Sequence, residues 1–142
     1  MKTFIIAVVM LFTVQMVSAQ EVFSEEKKSL IVDNLERAIV SENTGLHTSG
    51  ALVLSELIYD SYLDKDDASE VMIPLIKLLK NGETEEERIA AAVALYQLGN
   101  SVGIYQLRNV GVFDSNEKIA TICKNLYYTY HKLNGTEYLV SF

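Results

Sequence analysis

Apolar residues recur at three- and four-residue spacing along almost the whole chain, the period of helices with one buried side. The first such run predicts a helix over 24–41, with Leu30, Leu35, Ala38 and Ile39 as its apolar stripe, broken by Asn43-Thr44-Gly45. A second helix is predicted over 48–63, carrying Leu54, Leu57, Ile58 and Tyr59, followed by an acidic connector from Asp64 to Asp67. Asp67 and Glu70 have the spacing of a capping box and open a third helix with the stripe Val71, Leu75, Leu78 and Leu79. Pro74 falls inside that helix and predicts a bend, because it removes a backbone donor. Asn81-Gly82 ends it. Thr84 and Glu87 repeat the box and open a fourth helix that runs to Leu98 and stops at Gly99-Asn100. A short fifth helix over 102–110 precedes Gly111, and a third box, Asp114 with Glu117, opens the last helix, which ends at Asn134-Gly135.

Six helices joined by short turns pair into three hairpins, and the second helix of each pair contains a common phrase. Ser55-Glu56-Leu57-Ile58-Tyr59, Ala92-Val93-Ala94-Leu95-Tyr96 and Cys123-Lys124-Asn125-Leu126-Tyr127 all place an aliphatic residue three after a small one, with tyrosine next. The tyrosines are 37 and 31 residues apart, a spacing typical of helical-repeat units. A small residue lets neighbouring helices approach closely, and the aliphatic one fills the gap.

The stretch Ile73-Pro74-Leu75-Ile76-Lys77-Leu78-Leu79-Lys80-Asn81-Gly82-Glu83 resembles the first helix and turn of a HEAT repeat. Glu87-Arg88-Ile89-Ala90-Ala91-Ala92-Val93-Ala94-Leu95-Tyr96-Gln97-Leu98-Gly99 is similar to the second helix of such a unit, with proline, arginine and the alanine-rich face in register. Glu87 stands where that family usually has an aliphatic residue, and Asn81 where it often has aspartate. The resemblance implies an all-α fold, a short right-handed α-solenoid of about three HEAT-like antiparallel helix pairs. It also implies a role in holding partners and carries over no catalytic residue.

The N-terminus reads differently. Lys2 is followed by an apolar run over 4–14, too short for a bilayer span, and Val17-Ser18-Ala19 supplies small residues at cleavage positions. Residues 1–19 are therefore expected to be a signal peptide and 20–142 a single helical-repeat domain, exported to the periplasm or beyond the cell. Loss of Lys2 leaves 11 basic against 19 acidic residues and moves the formal charge from −7 to −8. Such a surface repels phosphate backbones and anionic membranes, so neither nucleic acid nor stable membrane insertion is expected. Cys123 is the one cysteine, so no intrachain disulfide can form and packing alone must hold the fold.

Chemistry-bearing patterns are sparse. No Gly-rich phosphate loop, G-x-S-x-G or H-E-x-x-H occurs. His47 and His131 have no partner at a catalytic spacing, and Cys123 lies about 12 Å along the helix axis from His131, too far for direct thiol activation. Asp60, Asp64, Asp66, Asp67 and Glu70 lack the glycine and ligand spacing of a calcium loop and read as a solvated connector, so no metal or cofactor is expected. Asn134-Gly135-Thr136 has the form of a glycosylation acceptor at a position that also needs a helix stop. The tyrosines carry the binding expectation. Tyr59 and Tyr96, with Lys124, Tyr128 and His131 on the last helix, are the candidate partner-binding residues, suited to a protein or peptide. Helical spacing turns Tyr128 about 100° from Tyr127, which predicts that Tyr127 is buried and Tyr128 exposed. The expected function is a non-enzymatic protein-interaction module. The alternative is a structural or capping subunit of an envelope assembly, or a self-associating protein; three pairs leave two open ends to the stack, one of which the apolar tail Tyr138, Leu139, Val140 and Phe142 is placed to cover.

Mass spectrometry of exported protein should find a chain beginning at Gln20 or within a few residues of it; an intact Met1 in a membrane pellet would refute the leader.

Overall fold

A computed structural model describes residues 23–136, so the leader and the apolar tail read from the sequence lie outside the described residues. Within them the chain forms six α-helices: α1 (Glu25–Ile39), α2 (Thr44–Tyr59), α3 (Met72–Asn81), α4 (Glu85–Leu98), α5 (Ser101–Phe113) and α6 (Glu117–Leu133). A short 3-10 turn, Ser69–Val71, leads into α3. The all-helical class read from the periodicity is the observed one. No helix of the described residues is long and apolar enough to cross a membrane.

Each odd-numbered helix packs on the even one that follows it, α2 packs on α4 and α4 on α6, and α1, α3 and α5 touch in the same order. The core is continuous, from Val32 and Leu35 through Leu54, Leu75, Leu79 and Leu95 to Leu107 and Ile119. α4 sits at its centre, with Ala90, Ala91, Ala92 and Ala94 all buried. The three small residues of the shared phrase, Ser55, Ala92 and Cys123, are buried as well. The tyrosines are not equivalent: Tyr59 is exposed, Tyr96 half-buried and Tyr127 buried.

Local signals account for most helix ends. Ser24, Asn43, Asn100 and Asn116 each accept a hydrogen bond from a first-turn amide. Thr84 and Glu87 form the reciprocal capping box, and Gly99 closes α4 in the left-handed conformation.

Several expectations are corrected. Leu30 is exposed, because the buried row of α1 is Lys28, Val32, Leu35 and Ile39, on the opposite side of the helix. Lys28 holds a core-row position because its ammonium meets Glu25 at 3.0 Å, Asp67 at 3.2 Å and Asp64 at 3.3 Å. Those carboxylates, Glu25 foremost, raise its pKa. The acidic connector is thus more than a solvated loop: it closes over α1. Asp67, drawn to Lys28, forms no capping box with Glu70, and α3 starts only at Met72. Pro74 is then the third residue of α3, where its missing N–H was unpaired in any case, so the reason for a bend is gone. α2 begins earlier than expected, at Asn43's cap, and ends at Tyr59.

α5 runs through Gly111 to Phe113. A Cβ at Gly111 would lie 2.9 Å from the Lys124 side chain and 3.1 Å from its backbone nitrogen, so this glycine permits contact between α5 and α6 and does not end the helix. Asp114 turns to Arg88 and leaves the cap of α6 to Asn116.

Leu95 is fully buried at the position shared with Ile58 and Leu126, and its side chain lies against Gly103 of α5. Leu95→Ala should lower unfolding stability by about 2–5 kcal/mol, measured by denaturant titration. A midpoint unchanged within error would show that this register does not hold the core.

Candidate functional site

The five residues proposed from sequence do not form one row. Tyr59, at the last position of α2, is 75% exposed. Tyr96 packs half-buried against the core. Lys124 lies over Gly111, on the side of α6 that faces α5, and Tyr128 follows one turn later on that side, 46% exposed. Tyr127 is buried, as helical spacing predicts, and its ring meets His131 edge-on at 4.5 Å. His131 is half-buried, with Nδ1 2.7 Å from the Thr136 hydroxyl. The structure therefore leaves Tyr59 on α2, apart from Lys124 and Tyr128 on the flank of α6.

A second arrangement went unread in the sequence. His47, in the first turn of α2, places Nδ1 2.7 Å from Glu87 Oε1 and Nε2 against the carbonyl oxygen of Ser41. Glu87 is only 1% exposed, and its other carboxylate oxygen accepts from the Thr84 amide at 3.0 Å. Both ring nitrogens face acceptors, an arrangement that favours the doubly protonated imidazolium. Burial opposes charge on the imidazole, but the Ser41 carbonyl and the Glu87 carboxylate outweigh it and raise the pKa. Burial likewise opposes charge on Glu87, and the Thr84 amide and His47 overcome it and lower that pKa. The pair lines a cleft of about 500 Å³ together with Ile39, Pro74, Leu78, Glu42, Lys77 and Glu83. The geometry of this histidine fits a tie between α2, the preceding turn and α4. The signal available in the sequence was Glu87 itself, an acid on an alanine-rich face.

The next residue extends this junction. Arg88 donates through Nε to the Leu79 carbonyl at 2.7 Å and pairs with Asp114, whose carboxyl it holds below the usual range. Glu85 accepts from Asn116 at 2.9 Å and from Lys118 at 2.7 Å. Cys123 is fully buried, and burial pushes its thiol up to about 12, which leaves it an unreactive core residue. Among the described residues no three His, Cys, Asp or Glu side chains converge to hold a metal ion.

Two helices expose apolar side chains in number: α5, with Val102, Tyr105, Val112 and Phe113, and α2. Ala51, Leu54 and Ile58 bury one side, yet Leu46, Leu52, Val53 and Tyr59 stand exposed on the other. Helices of one-sided burial normally present polar residues outward, and a helix apolar all round is normally covered. No family model matches the chain, and no curated protein or solved structure matches it.

The His47–Glu87 tie has a definite pH signature. His47 has a folded pKa above its ordinary 6.5, so its contribution is complete below about that pH and is lost as pH rises through the folded value. Glu87 has a folded pKa below its ordinary 4.5, so its contribution is present above that pH and is lost as pH falls through the folded value. His47→Ala should therefore cost about 1–3 kcal/mol near pH 5.5, since it leaves a buried carboxylate short of a donor, and less near pH 9. Denaturant titrations of both chains at the two pH values check this; an equal cost at both would show that His47 is not held as a charged pair.

Proposed function

We propose that this chain is an exported, non-enzymatic protein-interaction module built on a short right-handed stack of HEAT-like antiparallel helix pairs. Three packing features support the stack. Odd and even helices each touch their own kind in sequence, a buried small residue recurs on each even-numbered helix, and Arg88 of one hairpin pairs with Asp114 of the next. The absence of a disulfide is compatible with export, because the alanine face of α4 lets the core close by packing alone.

The observation that carries the functional reading is the outward side of α2. Leu46, Leu52, Val53 and Tyr59 form an apolar surface whose charged members are Glu56 and the C-cap residue Asp60. Such a surface is stable in water only at a cost, and another protein chain is the partner that removes it from water. Tyr59 is the residue of the sequence-derived set that belongs to it, with the large, amphipathic ring common at interface hot spots. Tyr128 and Lys124, on the flank of α6, are a separate and smaller feature.

Leu52→Glu places a charge on this surface without touching the core. It should abolish capture of the protein's partner from the envelope fraction while leaving the helical circular dichroism and the melting point within about 2 °C of the parent. Undiminished capture by the variant would remove α2 from the binding surface.

A further inference from the structure

Acidic residues are spread over this chain, yet two neighbouring helices have none. α3 and α5 contain no aspartate or glutamate, whereas each of the other four helices contains at least one. The charged residues of the pair are Lys77, Lys80 and Arg108. The same two helices expose large apolar side chains, Ile73 on α3 and four more on α5, where Phe113 at the last position is 80% exposed. Helical spacing gathers these residues. Ile73, Lys77 and Lys80 share the side of α3 away from buried Leu75 and Leu79, and Val102, Tyr105, Asn109 and Phe113 share the side of α5 away from buried Ile104 and Leu107. The two sides adjoin, because Lys80, Tyr105, Asn109 and Phe113 line one groove of about 420 Å³ between the helices.

The acids that flank these helices along the chain are engaged elsewhere. Glu70, before α3, lines a separate pocket with Lys28, and Glu83, after it, lines the His47 cleft together with Lys77. Asp114, at the end of the groove, is paired with Arg88, which also bonds the Leu79 carbonyl in the last turn of α3. Lys80 lies in that last turn, where the helix dipole favours it, and forms no ion pair among the described residues. The groove therefore holds a cation without a counter-charge beside two exposed aromatic rings and the Asn109 amide.

We propose that the groove between α3 and α5 is a second docking surface and that its occupant is an acidic amphipathic helix of another protein. Apolar side chains of that helix lie against Tyr105 and Phe113, and a carboxylate beside them meets Lys80. The row from Val102 to Phe113 is about 16 Å long, enough for three turns of a helix laid along it. An anionic bilayer is the poorer fit, because three cations are fewer than membrane-binding clusters carry and the chain as a whole has a formal charge of −7. α2 takes no part in this groove, so the proposal stands or falls apart from the one above.

Fluorescence anisotropy on the purified protein tests it with two synthetic, fluorescein-labelled peptides. One is an amphipathic helix with leucines on one side and glutamates beside them; the other has lysine in place of every glutamate. Attraction by net charge alone favours the lysine peptide, so the two readings predict opposite orders. The parent should bind the glutamate peptide at least about tenfold more tightly than the lysine peptide, and added salt should weaken that binding. Lys80→Glu should reverse the order of preference, and Phe113→Ser should weaken binding about tenfold, both with the melting point of the parent because both side chains lie outside the core. Leu52→Glu should leave the affinity unchanged. A preference of the parent for the lysine peptide, equal binding of the two, or a Lys80→Glu variant that keeps the parent's order would each overturn the proposal. So would vesicles of phosphatidylglycerol that bind the parent and lose Lys80→Glu and Phe113→Ser while neither peptide binds, since that result assigns the groove to a lipid surface.

Discussion

The closeness that alanine permits on α4 is the constraint around which the fold is arranged. Ala90, Ala91, Ala92 and Ala94 present little more than backbone to their surroundings, and α2, α3, α5 and α6 all pack on this one helix. Larger side chains there would push the neighbouring helices apart, and the leucines they contribute, Leu54, Leu75, Leu79 and Leu107, would lose contact with one another. α4 can afford so little side chain because it is the helix that others cover. α1, which lies outside this set, is held by its packing on α2 and by the Lys28 clamp.

Polar ties gather at one end of the same helix. Within its first turn and cap, Thr84, Glu85, Glu87 and Arg88 reach His47 at the start of α2, the last turn of α3, Asp114 before α6, and Lys118 in α6. The macrodipole favours carboxylates at this position, which is why three acids can stand together there. Apolar packing leaves helices free to slide by small amounts, whereas hydrogen-bonded pairs of fixed geometry define where each begins. Alanine sets the distances in this fold, and the first turn of α4 sets the register.

Helix number and the main turns were legible in the sequence because they depend on local chemistry: Thr84 with Glu87, Asn81-Gly82 and Gly99-Asn100 act within a few residues. The misreadings share a physical cause. Asp67 and Asp114 have the spacing of capping residues, but cations remote in sequence, Lys28 and Arg88, compete for the same carboxylates and win. Gly111 has the composition of a helix stop, yet its role is contact with Lys124 on another helix. His47 and Glu87 are 40 residues apart, and nothing near either one announces the other. For the proposed binding surface, the sequence marked tyrosines by repetition. Burial then separated them, because Tyr59 lies at a helix end with no neighbour over it while Tyr127 is enclosed.

Cys123 gives the molecule one further property. Its thiol is wholly enclosed on α6, within reach of the charges of Arg88 and Asp114, and is chemically silent while that helix stays seated. A reagent in solution can reach the sulfur only when α6 lifts away, so the pace of its modification counts those excursions. Cys123 is thus a built-in reporter on how firmly α6 is seated, since the sulfur answers to a reagent only as that packing opens.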